Sequence, residues 1–177
     1  MHDPFPYAPP ALLVPYVESF SNYIGLRTLP SHFHEVALAF SLYHVTNRFI
    51  SPALSKYFCP RTYSALSAKT KINWDVHIVS FLQSTVICVL ALYVMYTDRE
   101  RSEMDWETRV WGYTGASGLI QAFAGGYFIW DLMVTLQNMS AFGMGMLAHA
   151  VSALFVFALG FVSQPSVLMA SHSGWRC

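Results

Sequence analysis

The stretch Val110–Trp175, VWGYTGASGLIQAFAGGYFIWDLMVTLQNMSAFGMGMLAHAVSALFVFALGFVSQPSVLMASHSGW, holds one formal charge, Asp131, in 66 consecutive residues. Helices of a soluble domain must show water a polar face, and this run has too little charge for that. A bilayer requires such a run. A carboxylate inside it costs roughly 2.5–3.5 kcal/mol on insertion scales, so it faces a bundle interior as a rule and often marks function. The expected fold class is all-α, a polytopic transmembrane helix bundle, and Asp131 is the residue whose presence needs a reason.

The rest of the chain agrees. Apolar residues make up 54% and charged residues 11%, against about 25% charged in an ordinary soluble domain. Ten basic and ten acidic side chains cancel, which leaves no electrostatic footprint for nucleic acid. Cys59, Cys88 and Cys177 fit neither a disulfide framework nor a zinc pattern. Met1-His2-Asp3-Pro4 lacks the basic start of a cleavable signal peptide, and Cys177 lacks a prenylation box.

A spanning helix needs about 20 mostly apolar residues. The clearest is 76–97, charge-free between Asp75 and Asp98. A second covers 110–136, interrupted by Asp131, and a third 143–162, with His149 as its one ionisable group. A weaker fourth covers 34–54, where Arg48 lies near enough to the end to snorkel. Residues 1–33, with Pro15, Glu18 and Asn22, read as an interfacial or re-entrant segment, and 163–177 as a polar tail. The linker Ser55–Asn73 carries Lys56, Arg61, Lys69 and Lys71 and no acid, whereas Thr97–Arg109 carries five acids against three arginines. Counting Lys and Arg places Ser55–Asn73 in the cytosol, 98–109 in the lumen and the turn 137–142 back in the cytosol.

At about 100° per residue, Ser117, Gln121, Asp131 and Thr135 share one face of the 110–136 helix. Gly118, Ala122 and Gly126 form a small-residue stripe roughly opposite Asp131, the kind of stripe that lets helix backbones approach. Asp131 lies six residues before Gln137 and His149 six residues after Gly143, so both sit about 9 Å from the same end of an antiparallel hairpin. Ser152 follows His149 by one turn, and His77 begins its own helix on that side. The candidate binding pocket is therefore His77, Gln121, Asp131, His149 and Ser152, with His149 and Asp131 the catalytic candidates. The commoner use of an intramembrane Asp–His pair is a hydrogen-bonded strut between helices. Two histidines and one aspartate on three helices have no diagnostic metal spacing, so neither metal nor cofactor is expected.

The segments Leu29-Pro30-Ser31-His32-Phe33-His34-Glu35, Ser51-Pro52, Ile72-Asn73-Trp74-Asp75-Val76-His77 and Gly125-Gly126-Tyr127-Phe128-Ile129-Trp130-Asp131-Leu132 resemble the fungal branch of the TLC domain family. The resemblance covers about 29–161. It implies a lipid-linked membrane protein, in the endoplasmic reticulum more than the plasma membrane. Ceramide synthases of that family carry a paired His-His and a later acidic cluster; here Ala148 precedes His149 and the later cluster is missing. The expectation is a C-terminally truncated member that binds or senses membrane lipid and influences lipid composition or trafficking. The alternatives are a sphingoid-base N-acyltransferase and a helix-packing partner of itself or other membrane proteins through Gly118, Ala122 and Gly126. The reading leans away from an enzyme.

Overall fold

The computed structural model describes residues 3–106, 109 and 112–162. Residues 110 and 111, at the start of the second expected span, and the tail 163–177 lie outside the described residues. Every described element is helical. α1 covers Val14–Ile24 and α2 Leu29–Val45; a π turn, Thr46–Ile50, then leads into α3, Ser51–Phe58. α4 is Pro60–Ala65, α5 Ala68–Thr97 and α6 Arg99–Glu103. α7 is Gly115–Gln137 and α8 Met139–Ala158, followed by a 3-10 turn, Leu159–Phe161.

Local chemistry sets these boundaries. Proline stands in the first turn of α1 to α4, where its missing N–H has no partner to lose. Ser67 caps α5 by accepting the Thr70 amide at 3.2 Å. Thr114 and Ser117 form a reciprocal capping box at the start of α7, each side chain accepting the other's amide, at 3.2 and 3.0 Å. At Gly143 φ is +76°, and the backbone breaks there before α8 continues; only glycine takes that conformation without strain.

Three helical segments are long and apolar enough to cross a membrane: Ala68–Thr97, Gly115–Gln137 and Met139–Phe161. Their mean hydropathies are 2.2, 1.4 and 1.9, and the buried shares of those stretches are 17%, 50% and 6%. The least hydropathic helix is thus the most enclosed. α7 is the centre of the bundle, and its neighbours give their apolar faces to the surroundings: Phe81, Val89 and Leu92 on α5, Val151, Phe155 and Val156 on α8.

α2 runs alongside α7 in the same direction. His32 meets Gly118 and Val36 meets Gly126, and Tyr43 meets Trp130 at 6.5 Å between ring centroids. α5 runs the opposite way: Thr114 donates to Asp98 at 2.8 Å, and the Ser80 and Tyr127 hydroxyls are 2.9 Å apart. α8 is also antiparallel, with Phe157 on Phe128 and Phe161 near Gly125. Thr28 bonds the Phe161 carbonyl through both its amide and hydroxyl, at 3.1 Å each. The starts of α2 and α7 and the ends of α5 and α8 therefore form one end of the bundle, here the first end. The π turn, α3, α4 and the α7–α8 turn form the second. Ala39, Tyr43, Val76, Val79, Trp130 and Val134 fill the space between α2, α5 and α7. With α2 carried on by the π turn, four helical runs link the two ends; the expected span 34–54 is divided among α2, the π turn and α3 and is not one of the three segments long and apolar enough to cross a membrane.

Candidate functional site

The structure brings Asp131 and His149 near one another but does not gather all five expected pocket residues. Asp131 is 6% exposed and lies within electrostatic range of His149, which is exposed on α8. No hydrogen bond joins them among the described residues. Gln121 is ten residues, about 15 Å, away along α7, and its amide donates to the Phe157 carbonyl near the first end. Ser152 is exposed and donates back to the His149 carbonyl of its own helix at 2.9 Å. His77 lies on the outer face of α5, its Nδ1 2.7 Å from the Asn73 carbonyl, in a shallow groove with Trp74 and Phe81. Gly118, Ala122 and Gly126 are all buried, Gly118 and Gly126 against α2.

A different, mostly polar set of residues lines a half-open cavity of about 460 Å³ at the second end: His44, Asn47, Arg48, Pro52, Tyr63, Ile72, Asp75, Val134, Gln137 and Asn138. Its origin is local. Pro52 lacks an amide hydrogen, and its ring would clash with the carbonyl four residues back. The helix widens there: the Ser51 amide reaches the Thr46 carbonyl, an i to i−5 bond. That π turn carries Asn47 and Arg48 to the cavity wall. π turns of this kind are frequent at functional sites.

Asp75 anchors the opposite wall. Ser51 donates to its Oδ1 at 2.6 Å and Tyr63 to its Oδ2 at 2.8 Å. Burial, and then the Asp75 carboxylate, push the Tyr63 hydroxyl up to about 12, so it remains a donor throughout the physiological range. Trp74 reaches Ser55 from the same turn, its indole N–H donating at 2.9 Å. Both Asp75 oxygens are therefore engaged. Arg48, by contrast, is exposed and makes no ion pair among the described residues, and the Asn47 amide oxygen is buried without a partner. Lys56, Arg61, Lys69 and Lys71, from the acid-free linker, surround this end. The cavity presents an unpaired cation and the unpartnered Asn47 amide oxygen to whatever enters it, with Asp131 one to two turns deeper.

The sequence marks Arg48 only as a snorkelling residue and Asp75 only as the charge that bounds the 76–97 span, within a segment that resembles the family. The usable signal is Ser51-Pro52, a proline near the end of the 34–54 stretch, where it disturbs the regular helix.

An all-α bundle with three apolar helices long enough to span a bilayer, and a polar cavity at one end, defines an integral membrane protein. The family follows from comparison: the model of the TLC domain matches residues 73–171, and the chain belongs to the TLC domain family. It is 35% identical over 152 residues to an uncharacterized TLC domain-containing protein of Schizosaccharomyces pombe, covering 86% of this chain and 50% of that one. It is 27% identical over 131 residues to Topoisomerase I damage affected protein 4 of Saccharomyces cerevisiae, covering 73% and 44%. It is also 27% identical over 123 residues to human TLC domain-containing protein 4, covering 69% and 45%. The chain spans about half the length of these curated relatives. The family match continues past Val162 into the segment set apart above as a tail. No solved structure matches the chain.

Proposed function

We propose that this protein binds a phosphate-bearing membrane lipid, with the headgroup in the second-end cavity and the acyl chains along the exposed faces of α5 and α8. The observation that supports this most directly is the cavity itself. Its volume of about 460 Å³ falls in the range of small-ligand sites, about 300–1,000 Å³, and it sits at helix ends, where headgroups lie. Arg48 is the natural phosphate ligand because its planar guanidinium bonds two oxygens at once. Asn47 and His44 supply further hydrogen-bond groups, and the Asp75–Ser51–Tyr63 cluster fixes the opposite wall. The basic rim attracts an anionic surface, at about 1 kcal/mol per Lys or Arg near the membrane. Through such binding the protein influences membrane lipid composition or trafficking, from the endoplasmic reticulum rather than the plasma membrane.

The test is lipid co-purification. The full chain, purified in mild detergent, is stripped for mass spectrometry of bound lipid and compared with the bulk membrane. A phospholipid class enriched at about one per chain, and lowered at least fivefold in Arg48→Ala, is expected. Bound lipid indistinguishable from bulk, or unchanged in Arg48→Ala, overturns the proposal. Ceramide formation from acyl-CoA and a sphingoid base that vanishes in His149→Ala would replace it with an acyltransferase.

A further inference from the structure

At the first end of the bundle, away from the cavity, three ligand-type side chains converge. Asp3, from the segment before α1, meets His32 and Glu35, one turn apart in α2, and one ligand atom from each lies within 4.8 Å of the other two. His32 Nδ1 is 2.8 Å from Glu35 Oε2 and 3.3 Å from Asp3 Oδ2. His32 is 1% exposed, Glu35 0% and Asp3 28%.

From this geometry we infer a binding site for a divalent transition-metal ion, of which zinc is the representative, held by His32 Nδ1, Glu35 and Asp3.

Four observations carry it. The first is spacing. Metal–ligand bonds of roughly 2.0–2.1 Å in a tetrahedral zinc site put the ligand atoms about 3.3–3.4 Å apart. The separation from His32 Nδ1 to Asp3 lies at that edge and the one to Glu35 about half an ångström inside it, so an ion enters once the Glu35 carboxylate moves back by about that much. The second is charge. Two carboxylates face a single imidazole, and even a fully protonated ring balances only one of them. Glu35 is buried and Asp3 partly exposed; a buried charge must be paired or coordinate a metal, and a divalent ion beside a neutral ring balances both carboxylates.

The third is an unmet valence. Glu35 Oε1 is buried without a hydrogen-bond partner. His34 Nε2 is 3.8 Å away, and that nitrogen bonds the Tyr7 carbonyl at 2.9 Å. The free oxygen is available to make Glu35 a bidentate ligand. The fourth is the back of the ring. Metal-bound histidines characteristically fix their other nitrogen through an outer partner, and here the Tyr113 hydroxyl meets His32 Nε2. An Nε2–H donated to Tyr113 leaves the Nδ1 lone pair pointing between the two carboxylates. Asp3, the most exposed of the three, is the entry side, where a fourth ligand such as water would sit. One nitrogen and two carboxylates suit borderline divalent ions such as zinc.

The experiment uses tag-free full chain in detergent at neutral pH, stripped with chelator, reloaded with zinc, dialysed and assayed for metal by mass spectrometry. Cobalt substitution reads the geometry. About one zinc per chain is expected, with visible cobalt absorption of tetrahedral strength. Asp3→Asn, in a partly exposed segment outside the helices, and the isosteric Glu35→Gln should each weaken binding tenfold or more while helicity and elution volume stay unchanged. If Glu35→Gln fails to fold, Asp3→Asn alone decides. Less than a tenth of an ion per wild-type chain overturns the inference and leaves protons to balance the carboxylates. Zinc uptake indifferent to Asp3→Asn overturns it equally, by placing the metal elsewhere.

Discussion

At the scale of single residues, the contact between α2 and α7 is decided by what is missing. A Cβ on Gly126 would stand 2.6 Å from the Val36 carbonyl oxygen and 2.7 Å from the Ala39 Cβ, both parts of a helix that cannot yield locally. A Cβ on Gly118 would enter the His32 ring. Without a hydrophobic drive between helices in lipid, close backbone approach is what holds them together. Gly126→Ala should therefore destabilise the bundle by about 1–3 kcal/mol, as overpacking does, and lower the melting temperature in detergent. Gly145, also helical, has nothing within 4 Å of the added atom. Gly145→Ala should be neutral or stabilising by up to about 1 kcal/mol. If both variants melt alike, the close approach at Gly126 is not what holds α2 to α7. The small-residue stripe was legible from spacing alone. Which helix it would meet was not, because a stripe carries no record of its partner.

At the scale of elements, the ends of α5 and α7 are fastened by one carboxylate. Asp98 follows the last residue of α5, accepts the Arg101 amide at 3.3 Å and the Thr114 hydroxyl at 2.8 Å, and so ties the start of α6 to the cap of α7. Burial works against its charge, but the groups around it, the Thr114 and Arg101 bonds first among them, hold the carboxylate below its ordinary range. A depressed carboxylate contributes stability above its unfolded value, about 3.9, and loses it as pH falls through the folded value. Thr114→Val removes this bond and the cap on Ser117, and should cost about 1–3 kcal/mol at neutral pH. The gap between wild type and variant should narrow below about pH 4, as Asp98 takes up its proton. A gap equally wide at low pH would assign the whole loss to the cap. The π turn is the other decisive element. Its cause, Pro52, is plain in the sequence, but a proline in an apolar run equally signals a helix end, and only packing against α5 carries the helix onward.

At the scale of the whole molecule, four passes place the linker 46–67 and the turn 138–143 at one end and α6 with the Asp3 cluster at the other. Cys59 is exposed at the second end. In a background with the other cysteines replaced, Cys59 and Ser140→Cys should react with an impermeant maleimide from the same side of sealed vesicles, and Ser102→Cys from the opposite side. Reaction of Cys59 and Ser140→Cys from opposite sides would break the arrangement of α7 and α8 described above. The same arrangement explains why His77 and Asp131 do not converge. Both lie toward the second end, as counting residues from the helix ends anticipates, but depth does not fix rotation, and α5 turns His77 to its outer face.

That this chain lives in a membrane as a helical bundle is already legible in its residues, because a 66-residue run with one charge has no other stable solvent. So are the principal apolar helices and the family, through segments whose residue types and order are local properties. The tertiary structure decided which polar groups meet. Asp3 meets His32 and Glu35 although they lie 29 and 32 residues further along the chain, and the second-end cavity draws its walls from residues 44 to 138. Such encounters depend on the rotation and order of packed helices, which hydropathy leaves open: a lipid-facing and a protein-facing helix read alike in apolar content, and only packing separates them.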